Sequence, residues 1–161
     1  MFGNLQLDQQ MLVKNMAPYE AARSRNAQLF WKLFVSAQWA AFWTKVTGRR
    51  AQLLNLDDER DLKGVNGRHY LGVQSVPLSQ IVGSEGRESD FDAEFRPRQH
   101  HHMDRWIGVA TARQLGKPLP PVDLIQLGDR YFVRDGHHRI SVARARGEME
   151  IDAEVTRWQK N

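Results

Sequence analysis

A chain of 161 residues, 41% hydrophobic and 26% charged, has the composition of one globular domain with a real core and is too short for two large ones. It has no cysteine, which excludes disulfides, thiolate catalysis and cysteine-based zinc sites and makes the cytoplasm the expected compartment. The net charge of +4 is a small difference between 23 Lys and Arg and 19 Asp and Glu; it permits an acidic or phosphorylated partner without demanding one.

Residues 1 to 16 show no basic region leading into an apolar run, so no secretory signal is expected. From Pro18 the spacing predicts a long helix to about Thr47, with Pro18 in its first turn and Gly48 as its stop. Trp31, Val35, Trp39, Phe42 and Val46 form one stripe, which Phe30, Leu33, Phe34, Ala37 and Ala41 widen. Lys32 and Gln38 interrupt a run already too short to span a membrane. Aromatic stripes at helical spacing are usually core, so this one is expected to pack into its own domain or against a second subunit, giving a homodimer contact over residues 29–46. A peripheral membrane helix, with Lys45, Arg49 and Arg50 flanking the rings, is the lower-ranked alternative.

Residues 48 to 75 read as a connector followed by irregular structure, with room for one short helix around Leu53, Leu54 and Leu56. The expected division is therefore a helical extension and connector over 1–75 and a compact α+β domain over 76–161. At Val76 an edge strand is expected, because Pro77 has no N–H to give to a ladder. A Gly/Ser-rich loop then carries Glu85 and Arg87 and ends in Asp90-Phe91-Asp92. A helix is predicted from about Met103 to Leu115, closed by Gly116 and the prolines after it. His100, His101 and His102 precede it. Three consecutive residues do not share a helical face, so they read as surface or phosphate-neighbouring groups rather than as a metal site.

Two runs of strand-formers, Val122 to Leu127 and Arg130 to Arg134, flank the hairpin signal Gly128-Asp129. The second runs into Asp135-Gly136-His137-His138-Arg139 and then into a helix with Ile140, Ala143 and Gly147 on one side; Ile151 to Val155 alternates as a last strand. A strand, a tight turn and a helix start bring unpaired N–H groups and the positive end of a helix dipole to one point, which suits phosphate. The plainer reading is a turn dipeptide with Asp135 as N-cap. Two imidazoles, a guanidinium and a carboxylate exceed what such a turn needs.

These residues resemble the ParB-like superfamily. VPLSQIVGSEGRESDFD is similar to its first box, with Arg87 and Phe91-Asp92 at the matching positions, and YFVRDGHHRISVARARG to its second, through Gly136, Arg139, Ala143 and Gly147. The resemblance covers about Val76 to Val155. It implies the compact α+β fold shared by the N-terminal domain of ParB partition proteins, by sulfiredoxins and by ADP-dependent free serine kinases, with nucleotide phosphates held at the Gly-X-X-Arg turn. Sulfiredoxin chemistry needs a cysteine at this turn and is excluded. The sequence runs only six residues beyond Val155, so a free-standing form without a helix-turn-helix is expected.

Two functions follow as expectations. The first is a magnesium-dependent nucleotide hydrolase or small-molecule phosphotransferase for ATP, ADP or CTP. Gly136, Arg139 and the backbone hold phosphate with Arg87 as a second clamp, and His137 or His138 donates to the transferring oxygen. Asp135 orients an imidazole or binds the metal through water, and Glu85 is the base. The second is a non-enzymatic nucleotide-switched or nucleic-acid-binding module, with nuclease activity as a variant, using the basic surface of Arg96, Arg98, Arg105 and the histidines. Nucleic acid is the less favoured partner.

Overall fold

The computed structural model describes residues 3–48, 52–64 and 67–159. Its fold is α+β: a six-stranded mixed sheet with helices packed against it and a long N-terminal helix. Arg49 and Arg50 lie outside the described residues.

Helix α1 is Gly3–Thr47, so Pro18 lies inside it rather than in its first turn. A proline forfeits one intrahelical bond and crowds the carbonyl four residues back. Here residue 18 is exposed, where water can satisfy the freed carbonyl. Ala22, Asn26, Phe30 and Ala37 form the buried face of α1. It packs on α3, Met103–Gln114, where the Phe30 ring meets the edge of Trp106 at 5.8 Å. Asn26 fastens the same contact by donating to Thr111 Oγ1 at 3.2 Å and Gln114 Oε1 at 3.1 Å. The stripe expected to pack into its own domain or against a second subunit divides: Phe30 and Ala37 are buried, while Trp31, Val35, Trp39, Phe42 and Val46, with Trp43 beside them, are exposed. Periodicity had identified a shared face, but Phe30 and the small residues are what fit against α3.

The stretch expected to be a connector and irregular structure with room for one short helix has that helix and two strands as well. It holds β1 (Leu54–Asn55), α2 (Leu56–Lys63) and most of β2 (Gly67–Pro77). Asn55 caps α2 by accepting from the Asp57 N–H at 2.8 Å, and acids fill the first turn, where the helix dipole favours them. β2 is an edge strand, as Pro77 implies, but it runs back to Gly67 along β6, Glu150–Gln159. Most of its side chains face solvent, which leaves little alternation to read. The sheet thus takes strands from both sides of residue 75.

The order across the sheet is β1-β3-β5-β4-β6-β2, with β3 as Ile81–Ser84, β4 as Val122–Leu127 and β5 as Arg130–Asp135. β3 and β5 are parallel, Ser84 beside Val133, so the loops that leave their C-terminal ends emerge together. β4 is antiparallel to β5, with Asp123 beside Asp135, so the prolines entering β4 arrive at the same edge. Alternate side chains of β4 and β5 enter different clusters. Leu124 and Val133 pack with Ile140 of α4, His137–Ala145, and with Phe91 and Phe95; Ile125 and Phe132 pack with Leu56 of α2 and Trp158. Both faces of the central hairpin are therefore buried.

Candidate functional site

The site is assembled by that sheet edge. After Asp135 the chain turns at Gly136, whose φ of 99° and ψ of 20° lie in the left-handed region. A Cβ there would also meet Val122 Cγ1 at 2.5 Å, so glycine is required on two counts. The first intrahelical bond of α4 runs from the Ile140 N–H to the Gly136 carbonyl, 3.0 Å, which leaves the N–H groups of His137, His138 and Arg139 ahead of it. Gly136 and these three residues border a cavity of about 330 Å³ lined also by Arg87, Arg105, Val109, Leu119, Pro120 and Asp135.

The structure brings Arg87, Asp135, Gly136, His137, His138 and Arg139 together at this cavity, from the loop after β3 and the start of α4. Arg87 and Arg105 are exposed, and neither guanidinium has an ion pair among the described residues. Arg139 is differently placed. Nη1 donates to the carbonyls of Pro120 and Pro121, each at 2.6 Å, and Nη2 to Asp135 Oδ2 at 2.6 Å. It ties the proline loop to the turn. Glu85 pairs with Arg134, Nε to Oε2 at 3.1 Å, and is not among the residues lining the cavity.

Both histidines of the turn have their side chains turned inward. His137 Nε2 lies 2.7 Å from Ser84 Oγ, which accepts the Arg87 N–H at 3.1 Å, so one hydroxyl joins the two boxes of the sequence. His138 Nε2 lies 3.3 Å from His102 Nδ1. His102 Nε2 is 3.4 Å from Asp90 Oδ2, at ion-pair distance, but is a buried nitrogen with no aligned hydrogen bond among the described residues. Phe91 stacks on His102 and His137 and meets His138 edge-on. Burial, with the charge of Arg87 next, lowers His137 to a pKa of about 4. Burial first, then His102 and Arg105, lowers His138 to about 3. His102 is lowered by burial and by His101. Around neutral pH the cluster is uncharged, and the cations at the cavity are arginines.

Among the described residues no group of three His, Asp or Glu side chains could hold a metal ion. A magnesium ion would therefore have to use phosphate oxygens, water and the exposed Asp135 carboxylate already bound by Arg139. Sequence reasoning placed Arg105 only in a diffuse basic surface, and it gave no role to Ser84 or to the His102–His138 contact. The positions of Arg105 and His102 follow from α3 lying beside α4, and no local pattern reports that.

No family model matches the chain, and no curated protein matches it. Among solved structures, sulfiredoxin from Arabidopsis thaliana is similar with 19% identity and a TM-score of 0.35, over 52% of this chain and 82% of that one.

Proposed function

We propose that the turn at Gly136 and the cavity before it bind the phosphate groups of a nucleotide. One observation carries the reading: the N-terminus of α4 and two exposed guanidiniums without an ion pair among the described residues, Arg87 and Arg105, border the same cavity. Helix N–H groups and arginine forks both suit phosphate oxygens, and each is worth more where water is partly excluded. At about 330 Å³ the cavity is at the small end of ligand sites, enough for a phosphate chain with its base directed outward. The similarity of the DGHHR segment to the Gly-X-X-Arg box supports a nucleotide over other anions. In this reading Arg87, Arg105 and the backbone contact the ligand, while Arg139 shapes the turn. Magnesium, when bound, would neutralise phosphate charge beside Asp135.

Phosphoryl transfer or hydrolysis is the finer form of the proposal. It would need Glu85 to leave Arg134 and act as base, and His137 or His138, buried and neutral near pH 7, to take up a proton before either could donate one. Binding without turnover requires neither change and is the reading that the geometry favours. The test is a thermal-shift panel of ATP, ADP, CTP, GTP and inorganic phosphate with and without magnesium, followed by phosphate-release assays on any ligand that stabilises. Stabilisation lost in Arg87→Ala or Arg105→Ala is the expected result. No stabilisation by any phosphate compound, or shifts indifferent to both substitutions, would overturn the proposal.

A further inference from the structure

The exposed stripe of α1 lies nearly opposite the face that packs on α3. Trp39 is 62% exposed, Phe42 and Trp43 57% each, and Val46 65%. Three indoles, a phenyl ring and two valines left in water on one helix are far more than scattered surface apolar residues explain. From Trp31 to Val46 the stripe is about 22 Å long, short of the roughly 30 Å of a hydrocarbon core. Among the described residues no helix is long and apolar enough to cross a membrane.

Charge chooses the occupant. Between Glu20 and Asp57 the chain has Arg23, Arg25, Lys32, Lys45, Arg49 and Arg50 and no acid at all. At 100° per residue, positions 25 and 32 lie on the same side as the stripe, and both are exposed. A second copy of this helix would meet it badly. Its face would bring more bases and, between Glu20 and Asp57, no acid to answer them. Single-stranded nucleic acid shares the negative charge but stacks on open ring faces. Here Trp39 meets Phe42 and Phe42 meets Trp43 edge-to-face, at 6.3 and 6.0 Å. A lipid surface makes no such demand: rings enter the headgroup boundary while basic side chains answer anionic lipid.

We propose that the exposed face of α1 seats this protein on an anionic membrane surface, with the helix lying in the headgroup plane. The experiment is co-sedimentation of the full chain with vesicles of phosphatidylcholine alone or mixed with phosphatidylglycerol, read together with tryptophan emission. Trp106 and Trp158 are already buried, so a blue shift reports the three indoles of α1. Binding is expected only to the anionic vesicles and is expected to weaken with salt. Lys32→Glu should reduce it about thirtyfold, since each basic residue near such a surface contributes about 1 kcal/mol and the change reverses a charge. The double variant Trp39→Ala, Trp43→Ala should reduce it on the order of a hundredfold through lost apolar burial. All three positions are exposed, so unchanged circular dichroism and melting are expected and separate binding from folding. Equal binding to both vesicle types, or none to either, would overturn the proposal. So would a concentration-dependent dimer in sedimentation, or tight binding to single-stranded DNA, that the same double variant abolishes.

Discussion

Acidification should weaken this fold through the histidine cluster, and His138 shows by how much. An imidazole in an unfolded chain titrates near 6.5, whereas burial, His102 and Arg105 hold His138 down to about 3. Between these values the unfolded chain takes up a proton that the folded chain refuses. Stability is therefore full above about 6.5, falls as pH is lowered through that value, and levels off only near 3. At about pH 5 the cost is about 2 kcal/mol for one imidazole that stays neutral in the fold. His137, lowered to about 4, adds a similar amount, and His102 acts in the same direction. The pair alone removes about 4 kcal/mol, a large share of the roughly 5–15 kcal/mol of an ordinary domain. Urea unfolding at fixed ionic strength from about pH 7 to about pH 5 would measure it. His138→Gln removes one of the three rings and should cut the slope of stability against pH by roughly a third to a half, whatever it costs at neutral pH. A wild-type loss below about 1 kcal/mol, or a full slope retained in His138→Gln, would refute the buried, neutral state of this ring.

Other outcomes can be checked with simple variants. Arg87→Ala and Arg105→Ala should each weaken phosphate-ligand binding about tenfold, the worth of one charge-assisted contact, and leave the melting temperature of the free protein nearly unchanged; calorimetric titration checks both. Arg139→Ala should behave in the opposite order. It removes the donor from the exposed Pro120 carbonyl, which water can satisfy, and from the part-buried Pro121 carbonyl, and should destabilise by about 1 kcal/mol in chemical unfolding before any effect on ligand is considered. Gly136→Ala must strain a left-handed φ and push on Val122, so a loss above about 1 kcal/mol is expected, together with loss of the phosphate-ligand shift.

What could be read from residue order was local. The β4–β5 hairpin and the entry into α4 are legible because alternation, Gly128-Asp129 and Asp135-Gly136 are signals carried by neighbours in the chain, and the elements stand where those signals put them. β2 was not legible because an edge strand with Tyr70, Leu71 and Val73 facing solvent has no buried face to alternate with. The stripe of α1 shows the limit of periodicity: it tells which residues share a face and is silent on what covers that face. Arg139 shows the limit of a motif. The turn itself was correctly located, but the prolines entering β4 arrive beside it through strand pairing, and their carbonyls occupy the guanidinium.

Helix α3 links the two surfaces on which function is proposed. Arg105 faces the cavity, and the next residue, Trp106, is fully buried between Phe30 of α1 and Ser141 of α4, donating from Nε1 to Ser141 Oγ at 2.9 Å. The aromatic helix is thus mounted on the element that also presents a cavity cation. Trp106→Phe keeps a ring against Phe30 but removes the donor and leaves a gap. It should destabilise by about 1–3 kcal/mol, part of it from the buried Ser141 hydroxyl losing its partner. Because the Arg105 backbone is held by the rest of α3, phosphate-ligand affinity should fall by less than in Arg105→Ala. An equal or larger fall, measured by the same titration, would mean that the position of Arg105 depends on the indole contact. The packing of α1 would then be part of the binding site rather than only a mount beside it.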